Sequence, residues 1–436
     1  MRRLLCLLAA LLLPITGLAE VGGSVLSLRI TRQGETHEYH IPREVIPQQT
    51  PTPEEIAHTP DYAAAPAAER YRCDTDFAPH ETLGFKTHEV SRFSRYDGGT
   101  PLWTAEIRDY QVQGWQETTP GVLLWGHTDV SLRSYGYPIT AWMTLLSHDG
   151  EVIWSQSLSP MLDWEQPACV IENGNGIYVA FSTYYNGGQE GLCVRQIGAD
   201  GQMLSATQTS ASALGLSEGY PRFTLRSALA LEDVFLLHLT SGTRDLLAQF
   251  SLSGELQQVI VPDCADGLLT LTDMQYHSGS LWLSGYLTLG QPDEDHFQSS
   301  RSEVTDVISA AYHRMEGWGR LDIDWLDLHL VLGSKPVTSE YLVPRIRERY
   351  TAVLLRIDPA NVLPLAAYTV DGCLGGALAA GDSLAWDVES LTACHYSPFT
   401  SAYTLFGTAK VFRYSFSDDG TIEGGGETDE TAEYWR

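Results

Sequence analysis

Short runs in which apolar and polar residues alternate fill most of the chain, and Gly, Asn, Asp or Ser cuts each one off. A period of two is the mark of a strand with one buried face. One stretch shows the grouping. Cys169 to Glu172, Gly176 to Ser182, Gly191 to Ile197 and Gln202 to Thr207 read as four consecutive strands. Similar strands are expected at Trp142 to Leu146, Val152 to Leu158, Leu247 to Leu252, Leu256 to Val261, Ser280 to Leu289, Thr351 to Ile357 and Val411 to Phe416. Many are joined by turn signals such as YDGG, SHDG, GADG and SDDG. Asp-Gly between alternating runs predicts a tight hairpin of type I′, which needs positive φ at both central residues.

These turns repeat. Gly98, Gly150, Gly201, Gly254, Asn361 and Gly420 mark them at steps of about fifty residues, with one step of double length between Gly254 and Asn361. Four strands per repeat of that size characterise a propeller blade. Over residues 85–425 the chain resembles secreted bacterial β-propellers with degenerate repeats. The resemblance implies an all-β fold, a six-bladed propeller with seven blades as the alternative. It implies no activity, because propellers host many functions. The long step reads as one blade with a small α/β insertion at 290–349. There Ser300 and Glu303 have capping-box spacing, and Val304, Ile308, Ala311, Tyr312 and Met315 recur at helical spacing.

The remaining segments differ in character. Residues 1–19 carry Arg2 and Arg3, an apolar run from Leu4 to Leu13, and small residues at Gly17 and Ala19. That pattern predicts a cleaved export signal, and a secreted or extracytoplasmic protein. The apolar run is too short to span a bilayer, and no later segment is apolar enough. Residues 20–45 read as a separate hairpin turning at Gln33-Gly34, residues 46–84 as a Pro/Ala-rich linker, and residues 426–436 as an acidic, disordered tail. With 27 Lys and Arg against 55 Asp and Glu, the chain repels phosphate backbones, so nucleic acid is not an expected partner. Six cysteines follow the leader, at 73, 169, 193, 264, 373 and 394. In an exported chain they permit disulfides, with Cys373–Cys394 favoured by short separation.

Candidate chemistry is sparse. SHDGEVIW at 147–154 has Ser147, Asp149 and Trp154 at the spacing of a sialidase Asp-box, but its glycine is displaced. Such boxes are structural turns, and no motif orders the arginines a sialidase needs (Arg222, Arg345 and Arg347 are the candidates). Trp103 and Trp154 hint at the tryptophan docking of quinoprotein propellers. Asp322, Asp324 and Asp327 could form a carboxylate pair, and His127 with Asp129 or His329 with Asp327 a dyad, but each reads more simply as a solvated or surface group. Calcium at Asp293-Glu294-Asp295 or Asp418-Asp419 lacks any loop pattern. No catalytic residue, metal site or cofactor is therefore expected. Aromatics near the expected ligand face are more informative: Trp164, Tyr184, Tyr185, Tyr220, Trp318 and Trp325. Flat rings beside Asn, Gln and acids suit sugar faces or a partner protein. The expectation is a non-catalytic binding or scaffolding module for a carbohydrate or an extracellular protein. The alternative is a carbohydrate-active hydrolase or lyase.

Overall fold

Alternation becomes strand along most of the chain in the computed structural model. It describes residues 25–47, 70–79, 87–128, 139–158, 164–216, 223–289, 347, 350–397 and 404–435, apart from 98, 109, 174–175 and 242–243. The fold is all-β and propeller-like, built of successive antiparallel meanders. After the hairpin β1 (Val25–Arg32) and β2 (Glu35–Val45) comes a three-stranded sheet, β3 (Tyr71–Pro79), β4 (Thr87–Asp97) and β5 (Thr100–Arg108). The second sheet is β6 (Tyr110–Thr118), β7 (Gly121–Thr128), β8 (Ala141–Ser147) and β9 (Val152–Ser157). The third is β10 (Trp164–Glu172), β11 (Tyr178–Asn186), β12 (Gln189–Ile197) and β13 (Met203–Ser210). A fourth meander, β14 (Phe223–Ala230), β15 (Val234–Ser241), β16 (Arg244–Ser251) and β17 (Leu256–Cys264), touches a fifth, β18 (Gly267–His277), β19 (Ser280–Leu289), β20 (Tyr350–Asp358) and β21 (Leu363–Asp371). Their only ladder contact is Cys264 with Gly267. The last sheet is β22 (Leu374–Ala380), β23 (Leu384–Ser397), β24 (Thr404–Phe416) and β25 (Ile422–Trp435).

Two boundaries move. Strand β3 begins at Tyr71, inside the expected linker, and the residues expected to form a disordered tail run as β25 along β24. Edge pairing depends on backbone hydrogen bonds, so an acidic composition does not prevent it. The 290–349 insertion, apart from Arg347, lies outside the described residues, as do the leader and residues 48–69.

The repeated turn is a different turn from the one expected. In four sheets the first turn residue donates its N–H to the carbonyl four residues on, and the glycine donates back to the first carbonyl. The sets are Ser147, Gly150 and Glu151; Gly198, Gly201 and Gln202; Ser251, Gly254 and Glu255; and Ser417, Gly420 and Thr421. Only the glycines have positive φ, at 84°, 81°, 87° and 93°. Each is a type I turn closed by a glycine bulge, and the ladder register slips beside it. In the first sheet Gly99 has positive φ, while Gly98 lies outside the described residues, and in the fifth the positive φ falls on Val362, not Asn361.

The turns also dock neighbouring sheets. Trp103 donates its indole N–H to the carbonyl of His148, 2.8 Å away, and its ring lies where a Cβ on Gly150 would come within 2.7 Å. Trp154 repeats this on the next turn, donating to Ala199 at 3.0 Å and lying 2.7 Å from a Cβ on Gly201. Farther on, Tyr368 replaces the tryptophan, with its hydroxyl on the carbonyl of Gly420 at 2.6 Å. Longer polar side chains support the same docks: Arg95 to His148, Gln196 to Leu252 and Arg356 to Asp418. Tryptophan docking is thus present at two turns, and other side chains serve at the rest.

The position explains why glycine is needed. Gly201→Ala would strain a left-handed residue and push into Trp154, at an expected cost of about 1–3 kcal/mol. Gly34 has φ 82° and nothing within 4 Å of an added Cβ. Its alanine variant carries the conformational strain alone, about 1 kcal/mol. Urea midpoints that fall equally for the two variants would contradict the docking role.

Between the fourth and fifth meanders the N-terminal hairpin takes over. Its turn is a true type I′, with φ 52° at Gln33 and 82° at Gly34. Strand β1 pairs antiparallel with β17, from Leu28 with Cys264 to Arg32 with Ile260. Strand β2 pairs parallel with β21, from Arg43 with Ala367 to Val45 with Thr369. The hairpin is therefore no separate unit. It closes a barrel of seven strands, β1, β2, β21, β20, β19, β18 and β17. Alternation sends Leu26, Leu28 and Ile30 inward with Ile41, against Leu247, Leu269, Leu283 and Leu355. Arg32 reaches the carbonyl of Asn361 at 2.9 Å, the service that Arg95 and Arg356 give other turns.

Candidate functional site

The third sheet gathers the described part of the predicted aromatic set. Its second hairpin turns at Gly187 and Gly188, both with positive φ, so β11 and β12 pair up to Asn186 and Gln189. Trp164 on β10 sits directly opposite Tyr185 on β11, and Tyr185 opposite Glu190 on β12. Directly paired residues project from the same face. Trp164, Tyr185 and Glu190 therefore form one row across three strands, with both rings half-buried.

Glu190 is 7% exposed and has no hydrogen-bond partner for its carboxyl among the described residues. Burial raises its pKa above the ordinary carboxylate value. An acid in that condition readily accepts a hydroxyl as a ligand. The row faces the fourth sheet, since Leu192 and Val194, two and four residues along β12, pack there with Phe235 and Leu237.

Tyr184 lies elsewhere. One residue from Tyr185, it points to the opposite face and is 4% exposed against Cys193. It packs where a Cβ on Gly191 would come within 2.9 Å of its ring. The sequence pattern sets Tyr184 and Tyr185 together near the expected ligand face. They are on a strand, and its two-residue period leaves only one of them at the rim. Tyr220, Trp318 and Trp325 lie outside the described residues, as do Asp322, Asp324, Asp327, Asp129 and His329.

On the Tyr184 face, Glu165 and Arg195 form a buried bidentate pair, 2.8 and 2.7 Å long. Burial works against the Arg195 charge, but the bonds and charge of Glu165 outweigh it and raise the pKa. Cys193 lies between them, and its thiol is pushed up to about 12, first by burial and then by Glu165. Cys169 is likewise pushed up to about 12, and Cys264 to about 11, by burial. Cys73, Cys169, Cys193 and Cys264 are thiols in this structure, too protonated at neutral pH to act as nucleophiles. The expected Cys373–Cys394 bridge rests on Cys394, whose side chain lies outside the described residues.

Two further carboxylates, the buried Asp245 and the half-buried Asp273, hold backbone that the inner strands leave unpaired. Leu271 N–H, beside a bulge in β18, donates to Asp245 at 2.8 Å, and the other oxygen of Asp245 meets His238 Nε2 at 2.9 Å. Leu378 N–H, beside the bulge in β22, donates to Asp273 at 2.7 Å. The first case has a milder form at β6, where Val112 N–H donates to Ser91 Oγ at 3.3 Å. His127 is buried, with Nδ1 2.8 Å from the Thr128 carbonyl. Asp419 bonds Ser417 and Thr421 within its own turn, which draws its carboxyl down to about 2. The displaced Asp-box is likewise a turn: Ser147 Oγ accepts the N–H groups of Asp149 and Glu151. Among the described residues no three His, Cys, Asp or Glu side chains gather for a metal, and no helix is long and apolar enough to cross a membrane.

No family model matches the chain, and no curated protein matches it. Similar solved structures include a mutant apocarotenoid oxygenase of Synechocystis, 7% identical over 80% of this chain and 88% of that one, with a TM-score of 0.32. They also include the β-propeller domain of Nup133 from Vanderwaltozyma polyspora, 10% identical over 51% of this chain and 72% of that one, with a TM-score of 0.28. Scores this low carry no argument about what this chain does.

Proposed function

We propose that the protein is a secreted propeller of six blades, one per meander, working as a non-catalytic binding module whose third-sheet rim receives a carbohydrate. One observation carries the reading: the row of Trp164, Tyr185 and the unpartnered, nearly buried Glu190. Aromatic rings present apolar faces to the C–H face of a sugar, while a carboxylate takes its hydroxyls. Binding is favoured over hydrolysis because Glu165, Asp245 and Asp273 are each engaged with an arginine, a histidine or backbone N–H groups. A glycosidase needs two carboxyl groups free to face the same bond. The leader-like first residues supply the expectation of export.

The test is to incubate the chain, from residue 20 on, with insoluble cell-wall material and a polysaccharide panel. Both retained protein and released reducing ends are recorded. Retention without release is expected, and Tyr185→Ala or Trp164→Ala should weaken it by about tenfold, the scale of losing one buried ring contact. Release of sugars would make the protein a hydrolase or lyase. Retention indifferent to both ring variants would move the binding surface away from this rim.

A further inference from the structure

Beyond the rim row, a groove of about 660 Å³ opens where the fourth sheet and the connection that leads into it from the third meet the tip of the N-terminal hairpin. That is the size class of small-ligand sites. Its floor is aliphatic, with Leu246, Val259 and Val261 of the fourth sheet. One wall is the 3-10 turn Ser212–Leu214, and another is Gln33 at the hairpin tip. Arg244, exposed at the start of β16, also lines it. The groove continues the rim: Ala211, just before the 3-10 turn, donates its N–H to the Glu190 carbonyl at 2.8 Å.

We propose that this groove takes the carboxylate of an acidic oligosaccharide, a uronate, with Arg244 as its anchor. The proposal rests on the reading of the rim as a carbohydrate surface. Its basis is charge. The chain carries a net charge of −28, yet no acid among the described residues pairs with Arg244, which is exposed. Asp245 also lines the groove, but its side chain turns inward, 2% exposed, and is held by His238 and the Leu271 N–H. An uncommitted guanidinium over an aliphatic floor fits a ligand with one anionic group and a C–H-rich ring. Its planar fork matches a carboxylate through two parallel hydrogen bonds. The overall negative field opposes an anionic ligand at long range. It is screened within about 8–10 Å at physiological salt, so the contact at Arg244 decides affinity.

The test is calorimetric titration of the chain, from residue 20 on, with trimers of galacturonate, glucuronate and mannuronate and with the methyl ester of each. At least one acid trimer should bind about tenfold or more tightly than its ester, the scale of a charge-assisted hydrogen bond. Arg244→Gln should erase that preference, bringing the acid to the affinity of its ester, while Arg244→Lys keeps part of it. Equal affinity for acid and ester, or a preference that survives Arg244→Gln, would overturn the groove assignment and leave the rim standing. If Trp164→Ala weakens acid and ester alike, the rim and groove act together. If it changes neither while Arg244→Gln still matters, the groove stands and the rim reading falls. No binding of any trimer or ester overturns the assignment, and the polysaccharide retention assay then decides the rim by itself.

Discussion

Glu165→Ala is expected to lower stability by about 3–5 kcal/mol, because it leaves the Arg195 guanidinium buried without a counter-charge. Glu165 is fully buried and the Arg195 side chain is only 8% exposed, so water cannot replace the lost carboxylate. The alternative partners are poor: the thiol of Cys193 and the thioether of Met203, 3.5 Å from Nη1. The converse experiment sharpens the point. The double variant Glu165→Leu with Arg195→Met removes both charges, keeps volume, and is expected near the parent's stability or above it. Urea denaturation at neutral pH separates the cases. A double variant as unstable as the single one would mean that the pair matters through its shape and not its charge. Glu165 also neighbours Trp164 on β10, so the single variant should loosen ligand retention at the rim as well.

The second large effect is expected at the hairpin. Leu28→Ala should cost about 2–5 kcal/mol, the range for emptying a fully buried leucine site. Leu28 is 0% exposed inside the seven-stranded barrel, and β1 and β2 are held at both outer edges of that barrel by backbone ladders. Arg29→Ala, its neighbour on the outer face, removes only a half-exposed pair with Asp263 and should cost about 1 kcal/mol or less. If the two variants melt alike, the hairpin lies on the surface and the barrel is not closed in solution.

How far the sequence reaches depends on the range of the interaction concerned. Period-two alternation marked most strands, because each strand buries one face whatever it packs against. The markers at Gly150, Gly201, Gly254 and Gly420 located four turns, since a left-handed residue is a local requirement that glycine meets best. The turn type was misread because Asp-Gly serves both a type I′ turn and a type I turn with a bulge. The choice shows in the ladder register, which slips beside each turn and leaves room for the bulge.

At the site, residue identity pointed to Trp164 and Tyr185 but not to their partner. Glu190 stood out by nothing in the sequence, where acids are common. Only the register of β11 against β12 set it beside Tyr185, and only packing covered most of its side chain. The same register turned Tyr184 away from the rim, so one residue's shift along a strand separates a surface ring from a core one.

The sequence by itself determined most of the strands, the strong negative charge and four of the left-handed turn positions, because these depend on neighbours a few residues apart. Tertiary structure alone decided that the N-terminal hairpin closes a barrel with strands more than two hundred residues away. It also decided which acids are engaged and which are free, and that Arg244 overlooks an open groove. Those outcomes depend on which residues lose their water together, and that is settled only when distant strands pack.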